Sequence, residues 1–136
     1  MTANRAAPDD RRFSRPANGS DAAAGGPAID FAFLARQTGG DAALAAALLD
    51  LFDRQSAALL ARLSEPGATA DRRADLAHTL RGSAVSIGAG AAARAAQALE
   101  ALLARGASEG PALEEAFARL AAAIGEARAA IAARRG

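Results

Sequence analysis

Residues 69–90 read TADRRADLAHTLRGSAVSIGAG. An α-helix advances about 100° per residue. With His78 set at zero, Leu76, Leu80 and Ile87 fall within about 20° of the opposite side. The stretch is therefore predicted to be an amphipathic helix from near Thr69 to Ile87. Its leucine and isoleucine face seeks a core, and His78 lies on the solvent stripe. Asp71, Ala74, Asp75, Arg81, Gly82 and Val85 share that stripe. Gly88 and Gly90 are expected to break the helix.

The flanking sequence supplies more helices. About a third of the 136 residues are alanine, and only five are aromatic, all Phe. Alanine is the best helix former and β-branched residues are scarce, so the composition predicts an all-α protein. Asp30 can cap a short helix reaching Arg36 or Gln37. Gly39-Gly40 stops it, and Asp41 can cap the next, from about Ala42 to Ser64. In that helix Leu44, Leu48, Leu51, Phe52, Gln55, Leu59 and Leu63 follow the helical period. Beyond the decisive stretch, a helix from about Ala91 to Arg105 carries Leu99, Leu102 and Leu103. Pro111 suits the first turn of a last helix, whose apolar stripe is Leu113, Phe117, Leu120, Ile124 and Ile131. Short connections favour antiparallel neighbours, so the expected fold is an up-down four-helix bundle with a short additional N-terminal helix.

Residues 28–134 are read as one domain. Residues 1–27 mix Arg, Asp, Ser, Gly and Pro without periodicity and are read as a disordered tail. Its basic patch Arg11, Arg12 and Arg15 suits a solvated segment or an arm that touches a partner. The longest apolar stretch, Ala42 to Leu49, is far short of the roughly 20 residues that span a bilayer. No signal peptide is read at the N-terminus, and the expected location is the cytoplasm.

Several chemistries are excluded by counting. The formal net charge is +1, so no nucleic-acid partner is implied. There is no Cys, which removes disulfides and thiol chemistry, and the single His rules out a zinc site with several imidazole ligands. No metal site is expected in the chain. No glycine-rich nucleotide loop is present, so ATP-dependent kinase activity is not expected.

What remains is the stripe around His78. A lone surface histidine is most often inert. Here Gly82 follows one turn later, in mid-helix, where Gly costs about 1 kcal/mol relative to Ala. In so alanine-rich a chain that choice calls for a reason, and close approach of another molecule is one. Arg81 stands within one turn of His78 and can place a guanidinium beside an anion held there.

The segment His78-Thr79-Leu80-Arg81-Gly82-Ser83-Ala84 resembles the phosphorylation motif of histidine phosphotransfer (HPt) domains. Gly88-Ala89 continues the likeness, as do Leu99-Glu100 on the following helix, Ile29-Asp30 and Gly39-Gly40-Asp41. The resemblance covers residues 28 to 133. It implies an antiparallel four-helix bundle and phosphoryl relay between aspartates of receiver domains, with His78 as the phosphorylated residue. By the same resemblance Nε2 is the attacking atom, Nδ1 is held by a neighbour, and Arg81 stands where many members have Lys. The place of Glu100 is Gln in some members and contacts the imidazole; a carboxylate near a phosphoryl group repels it. The implied partners are receiver domains of response regulators and hybrid histidine kinases, which supply the Asp and Mg²⁺. The chain itself is expected to carry no cofactor and to be a monomer, with Gly82, Ala74, Val85, Asp71 and Asp75 as docking surface. The rival readings are a non-phosphorylated helical adaptor that docks receivers or kinases, and a bundle that dimerises through exposed Ala and Leu faces.

Overall fold

The computed structural model describes residues 26–135; the expected tail lies outside them except for Gly26 and Pro27. Five helices follow one another: α1 (Phe31–Gln37), α2 (Ala42–Leu63), α3 (Ala70–Ile87), α4 (Gly90–Ala104) and α5 (Pro111–Arg135). No strand occurs among the described residues.

The helix starts follow from short polar side chains. Asp30 Oδ1 accepts from Phe33 N at 2.9 Å, Asp41 Oδ1 from Leu44 N at 3.0 Å, and Thr69 Oγ1 from Arg72 N at 3.1 Å. Each satisfies an amide that the helix itself leaves without a partner. Only Gly88 ends α3, at φ 80°. Its left-handed backbone lets Ala89 N donate to Ala84 O at 2.9 Å, closing the C-terminus. Gly90, expected to help break α3, is instead the first residue of α4. The α4 N-terminus has no side-chain cap, which is why the sequence placed its start one residue late.

Helix neighbours define the architecture. α2 packs on α3, α3 on α4, α4 on α5 and α5 back on α2, while the diagonal pairs α2–α4 and α3–α5 do not approach. This closed ring of sequential neighbours is a four-helix bundle with up-down connectivity. α1 lies across one end, on α2 and α3. Ile29 and Leu34 of this cap are buried in the same core as the bundle.

The most extensive contact is α3–α4. Ala77 and Ala84 of α3 and Ala92, Ala93 and Ala96 of α4 are buried. Methyl side chains let two helix axes come to the short end of the usual 8–10 Å range. Larger side chains fill the remainder of the core, chiefly Leu76, Leu80, Ile87, Leu99, Leu120, Ile124 and Ile131. Phe117, expected on the α5 stripe, is half-buried, and Ala116 and Ala127 complete the buried face.

Helix α2 departs from its expected face. Leu49, Phe52, Ser56 and Leu63 are its buried residues, whereas Leu44 and Leu51 are 45% and 41% exposed. The buried row sits about 70° around the helix from the centre of the expected leucine stripe. Polar contacts occupy the other edge of α2. Asp53 accepts from Arg128 Nε at 2.7 Å and lies near Arg135, which also pairs with Asp50. These pairs mark the flank of α2 that faces α5, and Leu44 and Leu51 lie roughly opposite Asp53 on the helix.

Candidate functional site

His78 is near the middle of α3, and its side chain is 63% exposed. Leu76, Leu80 and Ile87 are buried, as the periodicity requires. The close α3–α4 packing brings Glu100 of α4 up to the imidazole. Glu100 Oε2 is 3.0 Å from His78 Nδ1, and Glu100 Oε1 accepts from Arg81 Nε at 3.1 Å. Arg81 Nη2 is 3.1 Å from the same Nδ1.

Both contacts bear on the ring tautomer. A carboxylate only accepts, so in the Glu100 contact Nδ1 carries the hydrogen and donates it. Arg81 Nη2 is also a donor and bonds Nδ1 only in the other tautomer, so Glu100 and Arg81 compete for this one ring nitrogen. A neutral imidazole with hydrogen on Nδ1 has its free lone pair on Nε2. Nε2 has no hydrogen-bond partner among the described residues. In the tautomer that Glu100 favours, the ring presents Nε2 as its open nitrogen while Nδ1 is held. Glu100 is only partly exposed, which strengthens the pair relative to one in open water.

Gly82 is exposed, and a Cβ built on it meets nothing within 4 Å. Packing within the chain therefore does not demand glycine there. Arg81 leans toward α4, and Gly82 stands on the other flank of His78, toward α2. Asp71 and Asp75 are exposed on the same helix, and Val85 is 53% exposed. Ala74 differs from the expected solvent surface: it is half-buried and packs against the core, because α4 crowds its side of α3.

The large exposed apolar residues among those described are Leu44, Leu51 and Val85. Leu44 and Leu51 lie on α2 and Val85 on α3, and the first half of α2 runs antiparallel to the second half of α3. Leu44 and Leu51 were read as core from the sequence. The signal that could have freed them is the alternative row Leu49, Phe52, Ser56, Leu59, Leu63, whose 3-4-3-4 spacing also makes a continuous helical stripe.

A family model described as Hpt domain matches residues 42–130. The chain belongs to the Hpt domain family. No curated protein and no solved structure gave a match. The Hpt match begins at Ala42, and α1 with Ile29 precedes it while sharing its core. Membership implies histidine phosphotransfer in two-component signalling, as a phosphocarrier, with receiver domains as the interacting class. No helix among the described residues is long and apolar enough to cross a membrane. Nor do the described residues contain a group of three or more His, Cys, Asp or Glu that could hold a metal ion.

Proposed function

We propose that this Hpt protein relays a phosphoryl group between His78 and aspartates of receiver domains in a multistep two-component phosphorelay. The observation that carries the reading is the exposed imidazole whose Nδ1 is held by Glu100, with Nε2 left open. In the forward step the Nε2 lone pair attacks the phosphorus of a receiver's aspartyl phosphate. The N–P bond forms as the P–O bond to aspartate breaks, and the aspartate leaves as a carboxylate. The return step is the reverse reaction on a second receiver. Phosphoryl transfer depends on alignment and charge neutralisation more than on covalent help. The receiver supplies the Asp and the Mg²⁺; this chain supplies the ring, the Glu100 hold on its tautomer, and the Arg81 charge beside the incoming phosphoryl group.

The receiver docks over Gly82, with Val85, Asp71, Asp75 and the edge of Ala74 around it. The exposed Leu44 and Leu51 extend this surface onto α2. The proposed setting is the cytoplasm and the proposed state a monomer. The test is His78→Gln, with label delivered from a phosphorylated receiver. The variant should keep its helical circular dichroism and lose all acid-labile, alkali-stable label. Label that persists on the folded variant would overturn the assignment.

A further inference from the structure

A second feature lies at the end of the bundle where α2 and α4 finish and α3 and α5 begin. A cleft of about 450 Å³ opens there, walled by Leu63, Leu99, Leu103, Leu113 and Phe117. Small-molecule sites usually measure about 300–1,000 Å³ and combine apolar walls with a few polar groups. The polar group here is Arg73, which enters the cleft from the first turns of α3.

The state of that arginine is unusual. The side chain is half-buried, yet it forms no ion pair with any carboxylate of the described residues. Its one hydrogen bond runs from Nη2 to the Glu65 carbonyl at 3.3 Å. Nε is sealed from solvent with no partner, and Nη1 has none among the described residues. A guanidinium stays charged at any ordinary pH, and with only Nε sealed its outer nitrogens remain open to an anionic partner. Glu109 and Glu114 line the same cleft but do not reach Arg73. Being exposed, they stand toward its mouth.

We propose that this cleft binds a small monocarboxylate with an apolar body. The carboxylate accepts hydrogen bonds from the Arg73 guanidinium through Nη1 and the second hydrogen of Nη2. The apolar body lies on Leu103, Leu113 and Phe117. Glu109 and Glu114 repel a second negative charge, so dicarboxylates and polyphosphates are excluded. The site does not depend on the reading of His78.

Octanoate is a suitable probe, with octan-1-ol as the neutral control of equal chain length. Methyl-labelled full-length protein is titrated with each and followed by ¹H–¹³C spectra. Octanoate should saturate, move the Leu103 and Leu113 methyl signals, and bind about tenfold more tightly than octan-1-ol, since its head accepts charge-assisted hydrogen bonds. Arg73→Gln should abolish that preference and leave octan-1-ol binding unchanged, while Glu114→Gln should tighten octanoate. Absence of a saturable shift, or equal affinity of the two probes for the unmodified protein, would overturn the proposal. Should Arg73→Gln fail to fold, the octanoate-to-octanol ratio of the unmodified protein still decides.

Discussion

Replacing Gly82 separates stability from function at one position. The residue lies inside α3 with helical backbone, is exposed, and has open space where a Cβ would stand. Gly82→Ala therefore gains the intrinsic helix preference of alanine with no steric penalty to offset it, about 1 kcal/mol. In a domain of this size such a gain raises Tm by about 4 °C. Gly82→Gln keeps most of the gain, because Gln is also a good helix former. It also adds a long side chain one turn after His78. Residues four apart on a helix hold their Cβ atoms about 5–6 Å from each other, and helical side chains lean toward the N-terminus. The carboxamide of Gly82→Gln thus leans over the imidazole and into the space a receiver needs. Overfilling a packed contact costs about 1–3 kcal/mol, or roughly 5- to 150-fold in affinity. The assay compares Tm, receiver affinity, labelling from a phosphorylated receiver, and labelling from a small phosphodonor such as phosphoramidate. The expected pattern is a raised Tm for both variants and receiver-dependent labelling slowed at least about fivefold for Gly82→Gln. The small donor should be much less affected. Wild-type receiver kinetics in Gly82→Gln would refute the close-approach argument, and a lowered Tm in Gly82→Ala would refute the placement of this residue in open solvent.

Three other substitutions probe the remaining contacts. Arg81→Ala should slow transfer from a receiver or shorten the phosphohistidine lifetime while leaving Tm within about 4 °C, since such charge pairs add at most about 1 kcal/mol; unchanged kinetics in both directions would reduce Arg81 to a solvated charge. Glu100→Ala removes the acceptor of the Nδ1 hydrogen, so ring ¹⁵N shifts should report a mixture of tautomers and labelling should slow by about tenfold, the weight of one charge-assisted hydrogen bond. An unaltered ¹⁵N pattern would show that the carboxylate does not set the tautomer. Asp53 is held below the usual carboxylate range, first by its hydrogen bond from Arg128 and, after desolvation opposes it, by the charges of Arg128 and Arg135. Because its folded value is lowered, its contribution is complete above about pH 4 and is lost as acid protonates the folded protein. Asp53→Asn should flatten the acid limb of the stability curve, and identical curves between pH 2 and about pH 5 would contradict this.

The sequence reading was clearest where one row of side chains had a single answer. In α3 the large residues Leu76, Leu80 and Ile87 stand on one side, so His78 had to face outward, and it does. Caps at Asp30 and Asp41 are readable because short oxygens beside a helix start have few other uses, and Thr69 proves to be a third. Helix α2 was not so readable. Leucine lies on two overlapping rows there, and hydrophobicity favours the one that contains Leu44 and Leu51 over the one that contains Ser56. The choice is made by how α2 packs against its neighbours, which a single helix does not encode: Leu49, Phe52 and Leu63 take the core while Asp53 meets Arg128 of α5. The Glu100 contact is suggested by the family resemblance alone, because spacing along the chain does not give it. Its distance from His78 depends on how closely α3 and α4 approach, which alanines on both helices decide together.

The link between α3 and α4 consists of Gly88 and Ala89 alone. His78 precedes Gly88 by ten residues and Glu100 follows Ala89 by eleven. At 1.5 Å per residue these are climbs of about 15 and 16.5 Å from the same bend. The imidazole and its carboxylate are therefore brought level by counting from the joint, as two rungs of a folded ruler. That joint also carries α1, because Asp30 N donates to Gly88 O at 2.9 Å and a Cβ at Gly88 would come within 2.9 Å of Asp30 O. One extra residue in α4 before Glu100 would turn the carboxylate by about 100° and lift it by about 1.5 Å. The reactive ring would lose its partner although neither residue had changed. The length of the hairpin, and not only the identity of its side chains, is thus part of the chemistry of His78.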